Sequence, residues 1–290
     1  MNYEHGFHAG NPGDVLKHAA LVLILRELTR RQDPIHYLET HAGGGRYELA
    51  KADGEWTQGI GRLLSKNARR KLPELLPYLD LVAPEGAAPS VYPGSPLLAR
   101  EILRDTDTLE LYELKPSAKA QLDRAVEPKR DSRVRTFERD GYAGLVSASP
   151  KESTHLVALI DPPFESPEEW DDIEACVKRT AVKRPGATLV LWYPVKEGPT
   201  HEGRPERLRQ ALEASRVRGL SVELTSRGGM ILSKSKHAKV RGVLLGSGLL
   251  LVGAPHRAVA KLAAALPELG RSMARAEDGT AFDVSWKGWG

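Results

Sequence analysis

Leu156-Val157-Ala158-Leu159-Ile160-Asp161-Pro162-Pro163-Phe164 runs through five apolar residues and stops on an acid and two prolines. A segment that is apolar on both faces suits a strand covered on both sides, which is the situation inside a parallel sheet. Ile35 to Glu39, Thr108 to Glu113, Val134 to Arg139 and Ala187 to Tyr193 read as further strands. Helical stretches separate them at 14–31 (with Asp14 as a cap), 97–104, up to Val126, from Tyr142, at 168–183 and at 204–215. Leu220 to Thr225, Val240 to Leu245 and Gly248 to Gly253 add strands, with Gly246-Ser247-Gly248 as a turn between the last two. The fold class is therefore α/β, a mostly parallel sheet with helices on both faces.

Residues 50–93 break this rhythm. Leu63, Leu64, Leu72, Leu75, Leu76 and Leu79 have helical spacing, and Pro73, Pro77, Pro84, Pro89 and Pro93 cut the pieces. A small helical insertion subdomain is expected there, carrying Arg62, Lys66, Arg69, Arg70 and Lys71. Residues 1–49 and 94–290 then form the main domain.

The chain has 290 residues, 41% hydrophobic and 28% charged, so it is globular. Forty-two basic and 38 acidic residues leave +4, which permits a polyanionic partner without demanding one. The single cysteine, Cys176, excludes a disulfide framework and a cysteine-based zinc site. No apolar run reaches the roughly 18 residues a membrane helix needs. A soluble, cytoplasmic monomer without metal or membrane is expected.

Ligands of such sheets bind beyond the carboxyl ends of the strands, so the residues after each strand carry the question. Thr40-His41-Ala42-Gly43-Gly44-Gly45 follows the first strand as a turn that should open a helix. It lacks the dinucleotide spacing, since Glu48 stands where the third glycine would be; read alone it is a tight turn. Glu113 ends the next strand and can accept both ribose hydroxyls of a nucleoside. The insertion explains its distance from the glycines. Asp140-Gly141, by itself a plain turn, could place an acid against the exocyclic amine of adenine. Asp161-Pro162-Pro163-Phe164 is the sharpest signal. The prolines leave carbonyls without local donors, and with the Asp161 carboxylate these can accept both hydrogens of a planar amine. Phe164 offers a stacking face for the ring that bears it. N-methylation needs this arrangement, because accepting those hydrogens localises the nitrogen lone pair.

These pieces, in this order, resemble the Rossmann-like S-adenosylmethionine methyltransferases that make N6-methyladenine. More closely, the chain is similar to the RlmJ family, which methylates an adenine of 23S ribosomal RNA. The likeness runs through Phe7-His8-Ala9-Gly10-Asn11, Asp14-Val15-Leu16-Lys17-His18, Thr40-His41-Ala42-Gly43, Tyr92-Pro93-Gly94-Ser95-Pro96, Asp161-Pro162-Pro163-Phe164 and Leu191-Trp192-Tyr193-Pro194. Phe164 stands where tyrosine is commoner in that family, and Glu39 where many members have aspartate. The resemblance implies that Lys17, His18, His41, Ser95, Glu113, Asp140, Gly141 and Asp161 contact the cofactor S-adenosylmethionine. It implies that Asp161 is also the catalytic acceptor and that Tyr3 meets the substrate RNA; Phe164, with its stacking face for the adenine, joins Asp161 in the expected catalytic pair and Tyr3 in the expected RNA contact. Arg227, Lys234, Lys236, Lys239 and Arg241, with the insertion's basic run, are the expected phosphate contacts. The same motif serves DNA adenine and protein glutamine methylation, and a catalytically inactive nucleic-acid-binding Rossmann protein is a further alternative.

Overall fold

The structure is a computed structural model that describes residues 5–49, 54–84, 89–148, 153–166, 168–196, 202–226, 244–273 and 282–290. Tyr3 and the basic residues Arg227, Lys234, Lys236, Lys239 and Arg241 lie outside the described residues.

A short helix α1 (His5–His8) leads into α2 (Pro12–Leu28). The cap of α2 is Asn11 rather than Asp14: its side chain accepts the Asp14 N–H, and Pro12 occupies the first turn, where its missing N–H is harmless. Strand β1 (Ile35–Glu39) follows, then β2 (Arg46–Glu48), α3 (Lys66–Lys71), α4 (Leu76–Val82) and β3 (Val91–Pro93). The chain continues with α5 (Ser95–Ile102), β4 (Thr108–Tyr112), α6 (Pro116–Val126), β5 (Val134–Phe137), α7 (Gly141–Ser147), β6 (His155–Ile160), α8 (Glu169–Lys183) and β7 (Thr188–Lys196). It ends with α9 (Arg204–Ala214), β8 (Gly219–Ser226), β9 (Leu244–Val252), α10 (His256–Met273) and β10 (Phe282–Trp289).

Among the described residues, eight strands form one sheet in the order β10-β8-β9-β7-β6-β1-β4-β5. Six of them share a direction; only β9 and β10 run against it. The chain winds from β1 outward through β4 and β5, then returns to β6 on the other side of β1. This is a Rossmann-like doubly wound sheet, whose crevice opens above the carboxyl end of β1. The apolar runs alternate between two cores. Tyr37, Val157 and Leu159 join α2, α5, α10 and the insertion on one face, while Leu38, Ala158 and Ile160 join α7, α8 and α9 on the other.

Two expectations need correction. No helix follows the glycine turn. Gly43 (φ 61°) and Gly45 (φ 72°) adopt left-handed backbone, and the reversed chain enters β2, which pairs antiparallel with β3 at the root of the insertion. Nor is Gly246-Ser247-Gly248 a turn: β9 runs straight through it. These glycines answer a lack of space, since a Cβ at Gly246 would lie 2.1 Å from the Leu224 carbonyl and one at Gly248 2.2 Å from the Tyr193 ring. No helix among the described residues is long and apolar enough to cross a membrane.

The insertion's basic run serves packing more than expected. The Arg69 guanidinium pairs with Asp80 and donates to the Ala83 carbonyl, Arg62 donates to the Met273 carbonyl, and Lys71 pairs with Glu268. These residues tie α3 to α4 and dock the insertion on α10.

Candidate active site at the carboxyl ends of the parallel strands

β1, β4, β5 and β6 deliver Glu39, Glu113, Asp140 and Asp161 to one end of the sheet. The strands are in register at this level, with Glu39 beside Leu111 and Leu159. The loops beyond them interlock: Thr40 N–H donates to the Leu159 carbonyl, Ala42 N–H to the Tyr112 carbonyl, and Glu113 N–H to the Phe137 carbonyl. Gly141 is where the backbones meet most closely, since a Cβ there would lie 2.0 Å from the Thr40 carbonyl oxygen.

Glu113 holds the glycine turn. Its two carboxylate oxygens accept the Gly43 N–H (2.9 Å) and the Lys115 N–H (2.8 Å). Four lone-pair sites on a carboxylate leave room for further donors. Beside it, Leu114 is 67% exposed, an apolar side chain left open to solvent at the mouth of the site. Asp140 caps α7, accepting from Tyr142 N–H and Ala143 N–H. His41 lies against Thr40 Oγ1 (2.8 Å) and the edge of Tyr142. Burial pushes its imidazole down to about 4, against the pull of Glu113 and Asp140.

The centre of the site is an ion cluster. Lys17 is buried on α2, and its ammonium bridges Asp14 (2.8 Å) and Asp161. Burial alone would lower the lysine, but the two carboxylates outweigh it and raise it. Burial likewise opposes charge on Asp14; Lys17, then His18, overcome it and hold that carboxyl below its ordinary range. Trp192 lies beneath, its ring centroid 5.9 Å from the ammonium. Lys17, expected at the cofactor, is thus engaged between carboxylates. Asp14, read only as a cap, is half of its charge balance. The spacing of Asp14 and Lys17 on one helix face was the available signal.

Two further polar groups are buried close by. His18 Nδ1 lies 2.7 Å from the Tyr92 hydroxyl, which lies 3.1 Å from that of Tyr78. Burial and then Lys17 push His18 down to about 3. Glu39 is fully buried and accepts from Tyr37 Oη (2.5 Å) and Ser95 Oγ (2.9 Å). Burial pushes it up to about 8 against those hydrogen bonds. A folded-state value above the unfolded one means that stability from Glu39 is full below pH 4.5 and lost as pH rises toward 8. His18 acts oppositely: the unfolded chain takes up a proton below about pH 6.5 that the folded chain refuses. From pH 6.5 to 8 only the Glu39 limb operates. Urea unfolding is expected to lose up to about 1.4 kcal/mol per pH unit there, and Glu39→Gln to flatten this limb. An unchanged limb in Glu39→Gln would mean that Glu39 is ionised in the fold.

Phe164 departs from expectation. Its ring is 4% exposed and packs on Trp170 (4.9 Å) and Trp192 (6.0 Å), so it presents no open stacking face. Its φ of 51° places a bulky residue in the left-handed region, which persists only where the surroundings impose it. The ring acts as a wall behind Asp161.

Among known proteins, the family described as Ribosomal RNA large subunit methyltransferase D, RlmJ, matches residues 32–287. The chain is similar to Ribosomal RNA large subunit methyltransferase J of Escherichia coli (strain K12), with 34% identity across 99% of this chain and 98% of that one. The protein of the same description from Haemophilus influenzae is 30% identical across 99% and 98%. A crystal structure of a protein from Legionella pneumophila superposes with a TM-score of 0.81 at 26% identity, covering 97% of this chain and 98% of that one.

Proposed function

Because the chain belongs to the RlmJ family of ribosomal RNA large subunit methyltransferases, we propose that it moves a methyl group from S-adenosylmethionine to the N6 amine of an adenine in 23S ribosomal RNA. The observation that carries this reading is the row of strand-end acids, Glu113, Asp140 and Asp161, with Asp161 held by the buried Lys17.

The residues fit the cofactor. Glu113 keeps acceptor capacity for ribose hydroxyls after taking two backbone N–H groups. The exposed Leu114 beside it suits a heterocycle's face. Asp140 and His41, with the close-packed Gly141, line the same strand ends. When bound, S-adenosylmethionine supplies a methyl group on a sulfonium, a centre with a good leaving group.

The remaining work falls to the chain. Asp161 accepts hydrogens from the adenine amine and localises its lone pair; the amine proton becomes acidic only as the new bond forms. Lys17 fixes the Asp161 carboxylate. Pro162 and Pro163 stiffen the turn that carries it, and Phe164 with Trp192 closes the space behind. A duplex adenine cannot reach this point, so the base must be single-stranded or flipped. Tyr3 and the late lysines are proposed to meet the RNA.

Methyl transfer measured side by side on 23S RNA, duplex DNA and protein tests the substrate. Incorporation into RNA, read as N6-methyladenine, is expected; incorporation only into DNA or protein would overturn it. At the cofactor, Glu113→Ala is expected to raise the calorimetric dissociation constant about tenfold or more, since hydrogen bonds to a charged group are each worth roughly 1.5–3 kcal/mol. A folded variant with wild-type affinity removes Glu113 from the site.

A further inference from the structure

A groove of about 640 Å³ lies at the opposite end of the sheet, floored by the start of β8 and the end of β9. Arg184, Arg216 and Arg218 line it, and among the described residues no carboxylate does. None of the three forms an ion pair among the described residues. The Arg184 Nε is shielded from solvent and has no hydrogen-bond partner there. A donor buried in this way is destabilising unless something accepts from it. Arg216 holds left-handed backbone (φ 58°), the conformation that usually selects glycine after a helix.

Helix ends explain part of this. Arg184 caps α8 and Arg216 follows α9, where a cation complements the helix dipole. That account leaves Arg218 aside, since it belongs to no helix. It also does not explain why three arginines line one groove with no carboxylate beside them among the described residues. We propose that this groove is a phosphate-binding site and that its occupant is the backbone of the RNA substrate, away from the base being methylated. Guanidinium forks match phosphate oxygens, and single-stranded or duplex RNA supplies them in series. Strand spacing and rise put the groove roughly 20 Å from Asp161, within reach of a few nucleotides of the same RNA.

This inference rests on RNA being the substrate, and its test separates the two. The variant is Arg184→Gln/Arg216→Asn/Arg218→Gln, with Arg218→Gln alone as a partner, because Arg218 is exposed and its loss leaves the fold untouched. Binding of a 23S RNA fragment is titrated across salt concentrations, cofactor binding by calorimetry, and inorganic phosphate is titrated separately. The triple variant is expected to bind RNA about tenfold or more weakly, with the slope of log K against log salt reduced by about 2–3, and the single variant by just under one. Cofactor affinity and kcat stay the same while KM rises. Unaltered RNA affinity and slope in a wild type that binds RNA would overturn the groove alone. Loss of inorganic phosphate binding with RNA affinity intact would make it a small-anion site, which also overturns the proposal. A wild type that binds no RNA would instead remove the substrate reading on which this depends.

Discussion

Asp161→Ala lowers the single-turnover rate of methyl transfer to 23S RNA by on the order of 10²–10⁴, the usual worth of a positioned proton acceptor. The cofactor still binds, because Glu113, Asp140 and His41 are untouched. Asp161 directly follows a strand whose residues 156–160 are all buried, so its position is set by the sheet and not by a loose loop. The substitution also takes one of two carboxylates from Lys17. Asp14 remains at 2.8 Å, so the ammonium stays paired and the stability loss is modest. Asp161→Asn keeps the shape and loses the charge, and is expected to fall in the same range of rates. A rate above about a tenth of wild type in either variant, with the fold intact, would remove this motif as the catalytic centre.

Lys17→Met has the larger effect on stability. It removes the ammonium that Asp14 and Asp161 share in a largely buried pocket. Removing one member of a buried ion cluster costs about 3–5 kcal/mol, a large part of the 5–15 kcal/mol that holds a typical domain. One carboxylate escapes the repulsion by taking a proton. The methyl-transfer rate of the surviving folded fraction therefore drops at neutral pH and recovers partly as pH rises. Urea unfolding and a pH–rate profile check both parts. A variant within about 1 kcal/mol of wild type, with an unshifted profile, would show that the cluster does not hold Asp161. That threshold is small against the expected loss.

The sheet was legible because its strands declare themselves: short runs apolar on both faces, closed by an acid or a turn, suit strands with helices on either side, whereas the equally apolar Ala19 to Leu25 belongs to a longer segment and is helical. The candidate site was legible for the same reason, since each acid stands at the carboxyl end of a strand. What escaped the sequence depended on distant partners. The burial of Phe164 is decided by Trp170 and Trp192, which no local pattern connects to it. The engagement of Arg62 depends on a carbonyl at Met273, more than two hundred positions along the chain. Gly246 and Gly248 show a subtler failure. Glycine signals a turn and a tight approach alike, and only the neighbouring β8 and β7 reveal that the second reason applies. The pairing of Asp14 with Lys17 lay within reach of the sequence, three residues apart on one helix; that Asp161 completes the cluster did not, because it is remote in sequence.

The ribbon of β2 and β3 brings the two ends of the insertion side by side, with Arg46 opposite Pro93. By that geometry the segment looks like a graft, something a lineage could acquire or shed at one point of the chain. Its interior says otherwise. Ile60, Leu63, Leu75 and Leu79 belong to the same apolar cluster as α2, and Tyr78 and Tyr92 form the hydroxyl chain that reaches His18, next to Lys17. The excursion is separable in topology and inseparable in energy. Sequence drift inside it is therefore felt at the chemistry, and the two parts of the chain must evolve as one.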